Sequence, residues 1–104
     1  ADIKTNIRRD GLPIYDKRSL SEFMDDYINS REKDGDLSPT TIAGYRDDVK
    51  NRLKPYIGGI RVPDLSPIHI RQWFGQMQEK GLSAKSIQNV YRHLHCAYVQ
   101  LLNF

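Results

Sequence analysis

The sequence holds one cysteine, Cys96, so no internal disulfide can form. His69, His93, His95 and Cys96 fit none of the usual Cys/His zinc spacings, and neither metal binding nor redox chemistry is expected. No apolar run approaches the roughly 18 residues of a membrane span. The opening residues ADIKTNIRRD lack the apolar stretch of a signal peptide, so the chain reads as soluble and unexported. With 104 residues it is too short for a two-domain enzyme. Leu, Ile, Val and Phe nevertheless make up a quarter of the chain, above the ~20% below which chains tend to stay disordered. A fold around a modest core is expected. Ala rather than Met at position 1 reads as a piece cut from a longer protein, or as the product of Met removal.

Acids are scarce beyond residue 36. The first 36 residues carry nine acids and seven bases, whereas residues 37–104 carry four acids (Asp47, Asp48, Asp64, Glu79) and nine bases. The overall charge of +3 therefore hides a net +5 in the last two-thirds. Such asymmetry favours an anionic partner such as nucleic acid, although a merely solvated basic face has the same composition.

Residues 1–18 mix Lys4, Arg8, Arg9, Lys17 and Arg18 with Gly11 and Pro13 and show no apolar period, so they read as a flexible basic arm or interdomain linker. The folded unit is expected over 19–104. Leu20, Phe23, Met24, Tyr27 and Ile28 are spaced as one buried helix face requires, and Ser19 with Glu22 forms a capping box. The first helix is predicted over 20–33, stopped by Gly35. Ser38 and Pro39 open a second, over 39–54, with the stripe Ile42, Tyr45, Val49, Leu53 and Tyr56, and Pro55 withdraws a donor near its end. Gly58, Gly59, Pro63 and Asp64 fill a connection in which Ile60 and Val62 alternate as extended chain. Ser66 and Pro67 start a third helix with Ile70, Trp73, Phe74 and Met77 on one side, closed by Gly81. Ser83 starts the last, striped by Ile87, Val90, Tyr91, Leu94, Tyr98 and Leu101. The fold class is all-α, a four-helix bundle.

On the last helix a 100° step places Lys85, Asn89, Arg92 and Cys96 opposite Ile87, a side without an acid. Arg and Lys neutralise phosphates, and Asn can pair with an adenine edge in the major groove, which makes this a candidate reading surface; an ordinary solvated face is the alternative. On the second helix Thr40, Gly44, Asp47 and Asn51 oppose Ile42, flanked by Lys50 and Lys54. Thr40 and Thr41 occupy its first turn, where free N–H groups and the positive helix end attract phosphate. Gly44 either admits a DNA backbone or packs tightly against another helix. Asp47 and Asp48 argue that only the first turns of this helix approach DNA.

No catalytic constellation is present. Tyr91 and Tyr98 are nucleophiles by chemistry, but both lie on the apolar stripe, and Trp73 and Phe74 sit on a buried stripe rather than on a base-stacking platform. Glu22, Asp25 and Asp26 gather at a helix start with no cleft to face. His93 and His95, two apart, diverge on a helix.

The run Leu37-Ser38-Pro39-Thr40-Thr41-Ile42-Ala43-Gly44-Tyr45-Arg46 resembles the start of the second helix in the core-binding domain of tyrosine recombinases, the phage and conjugative-transposon integrases. Leu53-Lys54-Pro55-Tyr56-Ile57-Gly58 resembles that helix's end, Val62-Pro63-Asp64-Leu65-Ser66 the connection, and Gly81-Leu82-Ser83-Ala84-Lys85-Ser86-Ile87 the start of the last helix. The resemblance spans about residues 19–103. It implies a SAM-like orthogonal four-helix domain forming half of a clamp around double-stranded DNA, with the second and fourth helices at the major groove. It also implicates Thr40, Thr41 and Gly44 on the second helix and Lys85, Ser86, Asn89 and Arg92 on the fourth; Lys50, flanking the exposed side of the second helix, joins them as a DNA-binding candidate. The expected partners are duplex DNA and other protomers of the full-length recombinase on it, with no cofactor, metal or membrane. The implied setting is a prokaryotic or phage-encoded protein of the cytoplasm, associated with the nucleoid. The family's catalytic Arg, Lys, His-x-x-Arg and Tyr belong to a second domain expected after Phe104, so this chain alone is not expected to recombine DNA. Two other readings stay open, a helix-turn-helix regulator using the third and fourth helices, and a helical protein-interaction module.

Overall fold

The computed structural model describes residues 16–102, and all secondary structure below refers to them. Helix α1 spans Leu20–Asp34. Ser19 caps it, its Oγ accepting the Glu22 N–H at 3.3 Å. The Ser19 hydroxyl also reaches the Glu22 carboxylate at 3.3 Å, where the predicted capping box would have placed a bond to the Ser19 backbone. Gly35 ends α1 at φ 77°, a left-handed conformation that glycine adopts without steric cost. Helix α2 spans Pro39–Asp48, capped by Ser38 through the Thr41 N–H at 3.2 Å.

The second helical passage does not stop where proline was expected to end it. After α2 the chain widens into a π-helical turn, Val49–Leu53, whose register shows in the Lys54 N–H bonding the Val49 carbonyl five residues back. It then re-enters α geometry as α3, Lys54–Ile57, carrying Pro55 inside it. In an unbroken α-helix the Pro55 ring would strike the Asn51 carbonyl and leave it without a donor, and the wider turn relieves that conflict. The Arg52 carbonyl in the same turn accepts a 2.6 Å bond from the Trp73 indole N–H. Gly58 follows; a Cβ there would stand 2.6 Å from the Lys54 Cα and 2.7 Å from its carbonyl oxygen, so the chain leaves α3 through a space only glycine fits.

The connection runs back along the start of α1. The Leu20 N–H donates to the Ile60 carbonyl at 2.7 Å, the Ser21 N–H to Gly58 at 2.9 Å and the Val62 N–H to Arg18 at 3.0 Å. One isolated antiparallel bridge, Ser19 to Arg61, is all the β structure among the described residues. A 3₁₀ turn, Val62–Asp64, leads to α4, Pro67–Glu79. At its start the Ser66 backbone N–H donates to His69 Nδ1 at 3.0 Å, so His69 does the work of a capping-box acceptor and carries its own proton on Nε2. Gly81, at φ 89°, turns the chain out of α4, and the Leu82 N–H closes on the Met77 carbonyl at 3.2 Å. Helix α5, Ala84–Leu102, begins after Ser83, whose Oγ accepts the Ser86 N–H at 3.2 Å.

The chain is all-α, four helical passages around one core. Leu20, Met24 and Ile28 of α1, Ile42, Val49 and Leu53 of the second passage, Trp73 and Met77 of α4, and Ile87, Val90 and Leu94 of α5 all lose nearly all their exposure. These are the positions that the periodicities singled out. No polar or charged residue is buried among the described residues. Asp16, Lys17 and Arg18 rest on the domain: the Lys17 carbonyl accepts from Arg61 at 2.9 Å, and Arg18 pairs with Asp16 and Asp26. The rest of the proposed arm, residues 1–15, lies outside the described residues, as do 103 and 104.

Candidate nucleic-acid interface

The residues singled out for DNA occupy two helices in contact. Thr40, Thr41 and Gly44 fall in the first turns of α2, and Lys50 in the π turn beyond it. Lys85, Ser86, Asn89 and Arg92 follow one another along α5. Thr40, Gly44, Lys50, Lys85, Asn89 and Arg92 are exposed, while Thr41 and Ser86 are half-buried beside the cap serines Ser38 and Ser83. A Cβ at Gly44 would meet no atom within 4 Å, which removes tight helix packing as the reason for a glycine and leaves its surface open.

Ion pairing separates the cations into two sets. Arg18, Arg31, Arg46, Arg52 and Lys54 are matched with Asp16 and Asp26, Asp36, Glu32, Asp48 and Asp25 respectively. Most of those acids belong to α1 or its flanks, so the acid-rich first third neutralises Arg46 and Lys54 of the later chain. Lys50, Lys85 and Arg92 have no such partner among the described residues. Lys33, Arg61, Arg71 and Lys80 likewise have no ion pair among the described residues, so the free cations are spread over the domain, and these three are the ones on α5 and on the helical passage that continues α2, where they can meet phosphates without first breaking an ion pair.

Between the two sets lies a seam that sequence reasoning missed. The His93 ring stacks on Tyr45 with centroids 4.0 Å apart, and its Nε2 lies 3.2 Å from Asp48 Oδ2. A carboxylate only accepts, so Nε2 carries the proton that joins α5 to α2. The other carboxylate oxygen of Asp48 faces Arg52 of the π turn at 3.5 Å. Asp48 thus spends its charge inside the seam, and of the two acids expected to repel DNA only Asp47 stands exposed. No signal in the sequence joins positions 45 apart. His93 follows Asn89 by one helical turn, and that spacing was the only pointer.

Burial holds the His93 imidazole below its usual 6.5, against the opposite pull of its hydrogen bond to Asp48. A group whose folded pKa is depressed contributes its full stability above the unfolded value and loses it as pH falls. Thermal melts of the parent should therefore drop on acidification from pH 7.5 through 6.5 towards 5. In His93→Gln the part of that drop due to His93 should vanish, and an identical profile in the two proteins would refute the assignment.

Tyr98 donates from its hydroxyl to the Val62 carbonyl at 2.7 Å, and burial raises its pKa further from a reactive phenolate. Tyr91 meets Phe74 edge-on, and Phe74 in turn meets Trp73 edge-on. Both tyrosines are packing groups. Among the described residues no three His, Cys, Asp or Glu side chains gather as a metal ion would need, and no helix is long and apolar enough to cross a membrane.

Comparison with known proteins returned no matching curated protein and no matching solved structure. Residues 19–78, from the cap of α1 to the penultimate residue of α4, match the phage integrase N-terminal SAM-like domain. That match covers more than half of the chain and includes the Leu37–Arg46 run in which the resemblance is densest. On this ground the chain belongs to the family of phage integrase N-terminal SAM-like domains.

Proposed function

We propose that this chain is the core-site-binding domain of a site-specific tyrosine recombinase, gripping duplex DNA while a catalytic domain elsewhere in the parent protein breaks and rejoins the strands. The observation that carries the reading is that α5 holds no acid and that Lys85 and Arg92 on it, with Lys50 on the passage joined to it through His93, have no ion pair among the described residues. The positive end of α2 draws a phosphate towards Thr40, the Thr41 N–H being already bonded to Ser38 Oγ, and Gly44 leaves room for the sugar-phosphate backbone. Lys85 and Arg92 neutralise further phosphates, Ser86 donates a hydroxyl, and Asn89 between them faces base edges in the major groove. Helix α5 lies beyond the matched span, and its place at the DNA rests on charge, exposure and its seam with α2. Other protomers of the recombinase would share the same duplex.

Half a clamp with a few phosphate contacts binds weakly and with little sequence preference. Each neutralised phosphate contributes about −0.9 to the slope of log K against log salt, so fluorescence titrations of a labelled duplex should give a slope of roughly −3 to −5. Affinity unchanged between low and moderate salt would overturn the proposal.

A further inference from the structure

We propose that His93 is a positioning residue for DNA recognition: by joining Asp48 and Tyr45 of α2 to α5, it sets the spacing at which the two DNA-facing helices are presented. This rests on the reading above, and it assigns a role to a residue that contacts no DNA itself.

The geometry carries it. His93 is the only group among the described residues that makes a polar side-chain bond between α2 and α5. It stands one turn beyond Asn89 and directly after Arg92, while Asp48 stands one turn beyond Gly44. The joint therefore lies within a turn of the proposed reading residues on both helices, so a small rotation at the seam is transmitted to both with little lever arm to absorb it. Three elements meet there. Tyr45 and Asp48 come from α2, Arg52 from the π turn and His93 from α5, and the charged or titratable groups around the imidazole are Asp48, Tyr45 and Arg92, with Arg52 reaching it through Asp48. The π turn also matters. Asp48, the last residue before the change of register, is tied on one side to Arg52 of that turn and on the other to α5.

A positioning role is separable from a structural one. Removing the imidazole should loosen the relative placement of two helices that each remain folded, whereas lost packing elsewhere lowers stability without moving either face. Glutamine keeps an N–H that reaches Asp48. The test is a titration of one labelled duplex at pH 7.5 and fixed salt, with melting temperatures measured in parallel, for the parent, His93→Ala, His93→Gln, Arg92→Ala and Phe23→Leu. Phe23 of α1 packs on Tyr98, six residues beyond Arg92 on α5, 5.4 Å between centroids and away from the seam, and serves as the stability control. We expect His93→Ala to bind about tenfold more weakly, the equivalent of one hydrogen bond. His93→Gln should return to within about twofold of the parent, and Phe23→Leu should keep the parent affinity despite its lower melting temperature. If Arg92→Ala loses affinity while His93→Ala binds like the parent, or no more weakly than Phe23→Leu for the same loss of melting temperature, the positioning role falls alone. If Arg92→Ala also binds like the parent, the DNA reading falls and this proposal with it.

Discussion

Trp73→Ala should lower the stability of the domain by about 3–5 kcal/mol, a large part of what a chain of this size has in total. Trp73 is fully buried and is the largest side chain in the core, where it meets Phe74 edge-on at 5.3 Å between centroids. It also donates to the Arg52 carbonyl inside the π turn, so the substitution opens a cavity and strips a partner from the one stretch of helix that has left regular hydrogen bonding. Trp73→Phe separates the two losses. It keeps most of the ring volume, and the unsatisfied carbonyl should cost about 1–3 kcal/mol. Urea melts followed by far-UV circular dichroism measure both; a Trp73→Phe as stable as the parent would show that the indole bond does not hold the turn.

The second large effect concerns binding. Lys85→Ala and Arg92→Ala together should weaken duplex binding at least tenfold at low salt and reduce the salt slope by about 2, because each removes a cation that has no protein partner to release. Neither change should disturb folding, since both side chains are exposed. Asn89→Ala should instead flatten sequence preference, by about 1–3 kcal/mol at the base it pairs with. Titrations over a panel of duplexes distinguish a uniform loss from a lost preference.

The architecture was legible because each helix announces itself locally. Ser19, Ser38, Ser66 and Ser83 mark the starts, Gly35 and Gly81 the stops, and the stripes between them became the core. What escaped was whatever depends on two distant stretches meeting. Pro55 reads as a terminator because proline breaks α geometry, and only the neighbouring π turn, steadied by a tryptophan 21 residues away, explains how the helix runs through to Ile57. Asp48 reads as a charge that would repel DNA until His93, 45 residues on, is seen to take it up. Gly44 was ambiguous in sequence between a packing and an approach role, and the empty space around it decides against packing. The candidate reading faces themselves were legible as helix geometry, since a 100° step from Ile42 and Ile87 is all that Gly44, Asn89 and Arg92 require.

If α2 and α5 meet DNA together, Thr41→Glu and Arg92→Ala must each weaken binding. Glutamate at position 41 sets a negative charge at the start of α2, beside the proposed phosphate position, while Arg92→Ala removes a cation from α5. Both variants, checked for folding by circular dichroism, would be titrated by fluorescence against one duplex at one salt concentration. Both should bind clearly more weakly than the parent. A Thr41→Glu that binds like the parent beside a weakened Arg92→Ala would contradict joint docking in favour of a helix-turn-helix reader using α4 and α5, and parent-like binding by both would remove DNA from these two faces altogether.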